Sequence, residues 1–230
     1  MRTIQEQTVS VVIPTLNAAA ELPLALAALG GSRLVREIIV ADGGSRDGTV
    51  AIAETAGARI VAAPRGRGPQ LAAGAAAATG EWLLFLHADC RLAPGWASAA
   101  ALFLAASGAR ERAGYFAFAL DDPRPAARRL ERMVAWRCRL FGLPYGDQGL
   151  LIASALYEAL GGFAPIPLME DVDLVRRIGR RRLQPLGVAA VSSARRYRET
   201  GFIQRPLRNL LCLSLYFAGV APRRIARLYG

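Results

Sequence analysis

Short, mostly apolar runs alternate with helical periodicity through the first part of the chain. Residues 10–14 (SVVIP), 37–41 (EIIVA), 59–62 (RIVA) and 82–86 (WLLFL) read as strands, each closing on polar or turn-forming residues. Between them, a helix over 21–29 stops at Gly30-Gly31, and a second runs to Ala56 with Ser45 or Asp47 available to cap it. An alanine-rich third follows the 64–68 loop as far as Ala78. Strands apolar at nearly every position are covered on both faces, so this repetition predicts a parallel sheet between helical layers.

After Pro94 the rhythm changes. The pattern predicts a helix over 96–106, a strand over 115–120 and a basic helix from about 125 to 141. The tight stretch Pro144-Tyr145-Gly146-Asp147-Gln148-Gly149 precedes an apolar strand from Leu150 and a helix over 154–160 closed by Gly161-Gly162. Met169-Glu170-Asp171-Val172-Asp173 opens a further helix into Arg176-Arg177, and the tail from Phe202 reads as two amphipathic helices separated by Pro222. There is no internal repeat and no low-complexity linker.

Composition narrows the chemistry. With 230 residues, 53% apolar and 20% charged, the chain suits a single folded domain and is no disordered segment. The net charge is +11, and it is unevenly placed. Residues 1–100 carry eight arginines and eight acidic residues, whereas 101–230 carry 21 and 10. Such a split pairs a neutral half with a basic one that faces phosphates or a lipid surface, or that is simply a solvated arginine-rich face. All 29 basic residues are arginine, which excludes Schiff-base, pyridoxal and lysine-dependent P-loop chemistry. His87 is the one histidine, so a multi-histidine metal site cannot be built. Cys90, Cys138 and Cys212 lie far apart with no C-x-x-C spacing, giving neither a zinc site nor a disulfide framework and suiting a reducing cytosolic setting. Any metal must rest on oxygen ligands, which favours magnesium or manganese. The N-terminal segment lacks the run and cleavage site of a signal peptide. The longest apolar run, 210–221, is broken by Ser214 and Gly219 and falls short of the ~20 residues of a spanning helix, so a soluble, cytoplasmic protein is expected.

In open parallel sheets ligands bind beyond the carboxyl ends of the strands. The residues there are Pro14-Thr15-Leu16-Asn17, Asp42-Gly43-Gly44-Ser45, Arg65-Gly66-Arg67-Gly68 and His87-Ala88-Asp89. A dinucleotide fold needs G-x-G-x-x-G after the first strand, where this chain has PTLNAAAE, so a Rossmann oxidoreductase and a P-loop kinase are both disfavoured.

The ordered set SVVIPTLNAAAELP, EIIVADGGSRDGT, GRGPQLAAGAAAATGEWLLFLHAD, LPYGDQGLLI, MEDVDLVRRI and SSARRYRETG resembles a family 2 glycosyltransferase across nearly the whole chain. Its HAD and GDQ variants are most similar to the radical-SAM/selenodomain-associated transferase 2 subgroup. The resemblance implies an α/β GT-A fold, a mostly parallel central sheet flanked by helices with a C-terminal amphipathic helical tail. It further implies one domain over 1–230, with a nucleotide-binding half (1–94), an acceptor and catalytic half (95–200) and the tail (201–230). The implied activity is metal-dependent, inverting sugar transfer from a nucleotide-diphosphate donor, with UDP the expected carrier, to a hydroxyl acceptor.

Each motif then has an expected task. Asp42 accepts from a base edge while Pro14, Thr15 and Asn17 hold base and ribose; its bland alternative is an Asp-Gly turn that caps the next helix. Arg65 and Arg67, with Gln70 at the next helix start, face the diphosphate. The family's Asp-x-Asp is replaced by His87-Ala88-Asp89: Asp89 is the metal ligand for Mn2+ or Mg2+, and His87 either bonds ribose, enters the metal shell or is structural. Asp147 and Gln148 contact donor sugar or acceptor, and Arg195 or Arg196 clamps the diphosphate. Glu170 and Asp171 are the catalytic carboxylates with Asp171 the base, and Asp173 adds a third acidic group there. Glu21 stays ambiguous, because the family's acidic residue after Asn17 is Ala18 here. Trp136 reads as core or interface rather than a sugar platform. The tail either packs on the domain, forms a homodimer or rests peripherally on an anionic membrane where a lipid-linked acceptor is found. No nucleic-acid partner is expected. The rivals are a sugar nucleotidyltransferase, which lacks its glycine-rich loop and lysines here, and a non-catalytic basic module for membranes or nucleic acid.

Overall fold

Val9, Val11, Val12 and Ile13 have no exposed surface, so their strand sits inside the sheet. Burying each such side chain contributes roughly 1.5–3 kcal/mol as an upper estimate. The structure is a computed structural model that describes residues 8–229. In chain order, β1 (Val9–Thr15), α1 (Leu22–Leu29), β2 (Val35–Asp42), α2 (Thr49–Thr55), β3 (Arg59–Ala62), α3 (Arg67–Ala77) and β4 (Trp82–Phe85) follow the alternation read from the sequence. The strands β3, β2, β1 and β4 lie side by side, all parallel. Neither Ser45 nor Asp47 occupies the cap position of α2, which is Gly48. Asp47 Oδ1 instead accepts the Thr49 N–H at 3.0 Å.

Beyond β4 the sheet becomes mixed. β5 (Cys90–Leu92), α4 (Trp96–Ala105), β6 (Ala113–Leu120), α5 (Pro125–Phe141), β7 (Leu150–Ala153), α6 (Ser154–Ala159), α7 (Glu170–Ile178), β8 (Leu183–Ser192), α8 (Arg195–Thr200), α9 (Gln204–Phe217) and α10 (Pro222–Tyr229) complete the chain. The eight strands run in the order β3-β2-β1-β4-β7-β6-β8-β5. β7 is antiparallel to both β4 and β6, β6 is parallel to β8, and β5 is antiparallel to β8. The strands β5 and β8 have no counterpart in the sequence pattern. Pro185 and Gly187 interrupt β8, and its pairing with β6 shifts register between Tyr115 and Ala117.

Helices cover both faces. Leu22 and Leu26 of α1, Ala53 of α2, and Trp96 and Phe103 of α4 pack with one side of the sheet. Leu71 of α3, Tyr157 of α6, and Leu174 and Ile178 of α7 pack with the other. Leu130 and Val134 of α5 meet Tyr115 and Phe118 of β6. The tail packs by one face: Cys212 and Leu213 of α9 and Ile225 of α10 pack with Val172 and Val175 of α7. No described helix is long and apolar enough to cross a membrane.

Candidate active site

Strand order reverses at β1, with β2 on one side and β4 on the other, and crevices form at the carboxyl ends of such a point. A cleft on the β4 side of that point is lined by Arg67 at the start of α3, His87 and Asp89 after β4, Asp147 before β7, Asp171 in the first turn of α7, and Arg196 of α8, whereas Thr15, Asn17 and Asp42 at the ends of β1 and β2 do not line it. Residues separated by up to 142 positions, Arg67 to Asn209, thus reach one space.

Backbone shape sets the acidic groups apart. Met169, just before α7, has φ 68°, a left-handed conformation that costs a residue of its bulk roughly 1–3 kcal/mol. On the turn it creates, Glu170 faces inward with no exposed surface, while Asp171 faces the cleft. Asp171 Oδ2 accepts the Gly146 N–H at 2.7 Å and Oδ1 accepts the Val172 N–H at 2.7 Å. Each oxygen keeps a lone pair for a further donor. A Cβ at Gly146 would lie 2.6 Å from His87 Nε2 and 3.4 Å from Asp171 Oδ2, so only glycine lets the three meet.

Electrostatics differ sharply between neighbours. Burial, with Arg67 beside it, pushes His87 down to about 4 against the pull of Asp89 and Asp171, leaving a neutral imidazole with a nitrogen lone pair at neutral pH. Burial pushes Asp147 up to about 6, and its Oδ1 is buried without a hydrogen-bond partner. Burial also pushes Glu170 up to about 7, partly opposed by Arg67, whose Nε lies 3.1 Å from Oε1. Glu170, expected as a catalytic carboxylate with Asp171, therefore lies beneath the cleft lining beside Arg67, whereas Asp171 lines it.

Several other expected contacts turn inward. The Gln148 amide is buried, donating to the Phe116 carbonyl at 3.0 Å and accepting from the Tyr145 N–H at 3.2 Å, so it braces the turn. Gln70 Nε2 donates to the Thr15 and Ala41 carbonyls at 2.5 and 2.9 Å, tying the ends of β1 and β2 together. Arg195 pairs with Glu21 at 2.7 Å, leaving Arg196 as the cleft arginine and giving Glu21 a structural partner. Asp173 is committed to Arg177 at 2.6 Å and accepts from Tyr216 Oη at 3.4 Å. Arg65 is exposed and does not line the cleft. Trp136 is 68% exposed and is not core.

A second polar cluster closes the ends of β1 and β2. Burial works against the charge of Asp42, but hydrogen bonds from the Ser45 hydroxyl and N–H, Thr15 Oγ1 and the Gly44 N–H hold its carboxyl below the ordinary value. Asn17, at φ 51°, accepts the Arg46 N–H at 2.8 Å; Pro14 is buried in β1, and Ala88 packs against the core. The Asp-Gly turn reading of Asp42 is thus met in its turn but not in its helix cap, which is Gly48. A base N–H must share or replace one of those four donors.

Sequence reasoning missed Ser192, Ser193, Tyr145, Arg205 and Asn209, all of which line the cleft. Arg205 and Asn209 stand four apart on α9, a same-face spacing that was readable once the tail was taken as a wall of the site.

The profile of glycosyl transferase family 2 matches residues 10–136, more than half of the chain. Among solved structures, glucosyl-3-phosphoglycerate synthase from Mycobacterium tuberculosis with Mn2+, UDP-glucose and glycerol 3-phosphate is 21% identical, with TM-score 0.61, covering 93% of this chain and 81% of that one. The same enzyme with Mg2+ and UDP gives 21%, TM-score 0.63, 93% and 80%. Residues 1–349 of S. aureus TarS give 17% identity, TM-score 0.61, 81% of this chain and 60% of that one. No curated protein matches the sequence significantly. With the strand order above, these likenesses identify a GT-A fold, and the chain belongs to glycosyl transferase family 2 and is a glycosyltransferase.

Proposed function

We propose that the protein transfers a sugar from a UDP-linked donor to a hydroxyl acceptor with inversion, assisted by Mn2+ or Mg2+. The observation that carries this reading is that Asp89 and Asp171 line one cleft with Arg67 and Arg196. The structures of the synthase with UDP-glucose and Mn2+ or with UDP and Mg2+ support the donor and the cation.

The donor set suits a hard cation. Asp89 would supply a carboxylate oxygen, with the unpartnered Oδ1 of Asp147 beside the same cleft. Among the described residues no three His, Cys, Asp or Glu groups converge to hold a metal alone, so diphosphate oxygens and water must complete the shell. When bound, the cation offsets charge on the leaving diphosphate.

The chain's own residues account for the remaining steps. Asp171, held by the Gly146 and Val172 N–H groups, accepts the proton of the acceptor hydroxyl. The acceptor oxygen bonds to the anomeric carbon as the bond from that carbon to the diphosphate breaks on the opposite face, so configuration inverts. Arg196 meets the negative charge of the departing nucleoside diphosphate.

Nucleotide release measured with Mn2+ across UDP- and GDP-sugars tests the reading. Turnover of a UDP-sugar is expected, with a loss of about 10²–10⁴-fold in Asp171→Asn while UDP still binds. Wild-type turnover in that variant overturns the base assignment.

A further inference from the structure

The outer face of α9 is apolar and largely exposed although its inner face is packed, and Phe217 at its end meets the Arg176 guanidinium at 5.0 Å. Ile203, Leu207, Leu210, Leu211 and Phe217 are 73, 59, 57, 55 and 49% exposed, and their spacing puts them on a single helical stripe. A second stripe lies on α5, where Met133, Trp136 and Leu140 are 63, 68 and 48% exposed and repeat with Arg129 and Arg132. The two helices start close together: Arg124, just before α5, stacks over Phe202, which leads into α9, at 4.8 Å. Exposed arginines rim both, with Arg139 on α5 and Arg223, Arg224 and Arg227 on α10.

We propose that these outer faces of α9 and α5 seat the protein on an anionic phospholipid bilayer, and that the sugar acceptor is carried by a lipid in that bilayer. Apolar side chains flanked by arginine match an acyl boundary beneath negative headgroups. A second copy of the chain fits less well, because pairing this face with itself brings arginine against arginine. The link to function is the helix itself. Arg205 and Asn209 of α9 line the cleft while Leu207, Leu210 and Leu211 face outward, so one helix is both cleft wall and lipid contact. The part concerning the acceptor rests on the transfer proposed above, whereas the bilayer contact stands without it.

The test is vesicle flotation of the whole protein, without nucleotide, on phosphatidylcholine with and without phosphatidylglycerol. Binding to the anionic vesicles, weakened by high salt and reduced at least about tenfold in Leu207→Ser/Leu211→Ser, is expected. Trp82 and Trp96 are buried, so a blue shift of tryptophan emission on binding reports Trp136 entering the interface. Calorimetry of UDP with Mn2+ on the same variant separates the two proposals: unchanged donor binding with lost flotation confines the defect to the surface. Absent flotation, equal flotation by the variant, RNA binding in place of vesicle binding, or a dimer dissolved by the variant without vesicle binding overturns the proposal.

Discussion

Replacing Glu170 with glutamine isolates the energetic consequence of burying an acid under the cleft. Glu170 has no exposed surface, and burial lifts its carboxyl from 4.5 to about 7 with Arg67 offsetting part of the cost. Between those two values the folded protein keeps a proton that the unfolded chain has released. Stability from this residue is therefore fully present below pH 4.5 and falls as pH rises through about 7. The gap corresponds to about 3 kcal/mol at ~1.4 kcal/mol per pH unit, or roughly 6–12 °C in Tm for a chain of this length. Glutamine matches the shape, cannot ionise and keeps an amide oxygen beside Arg67. Melting profiles of both proteins from pH 4.5 to pH 8 should converge at the acid end, with Glu170→Gln more stable by about 3 kcal/mol at the alkaline end. Parallel profiles would refute the reasoning, and a less stable variant at pH 8 would mean that the ionised pair with Arg67 is net favourable.

Other substitutions probe the architecture of the site. Gln148→Ala removes the partner of the buried Phe116 carbonyl and Tyr145 N–H and should cost about 3 kcal/mol, lowering Tm by roughly 6–12 °C in a thermal melt. Gly146→Ala places a methyl against His87 and Asp171; kcat should fall more than tenfold while stability drops by about 1–3 kcal/mol, and unchanged kcat would show that the spacing is irrelevant. Arg196→Ala should weaken UDP binding in a calorimetric titration, whereas Arg195→Ala, whose side chain is held by Glu21, should leave it near wild type.

The first half of the chain was legible because β1 to β4 are short, mostly apolar runs, followed by polar residues that line or brace the cleft. The other half hid its strands. β8 carries Pro185 and Gly187 inside it, and β5 is three residues long, so neither shows a strand period. Site residues divide along a similar line. Asp89, Asp147, Asp171 and Arg196 were found because strand ends and a helix start announce them. Gln70 and Gln148 misled because an amide beside glycine looks the same whether it faces a ligand or a carbonyl of its own chain. Arg205 and Asn209 were missed because the tail's role as a wall depends on its docking against α7, through Cys212, Leu213 and Tyr216, which no local pattern encodes.

The central claim is that acidic groups from distant parts of the chain act on one nucleotide-diphosphate sugar. Its most direct test is calorimetric titration of UDP into wild type, Asp89→Ala and Asp171→Asn, each with and without Mn2+. The account predicts Mn2+-dependent binding by wild type and Asp171→Asn and its loss in Asp89→Ala. Binding that ignores Mn2+, or that survives in Asp89→Ala unchanged, would contradict it.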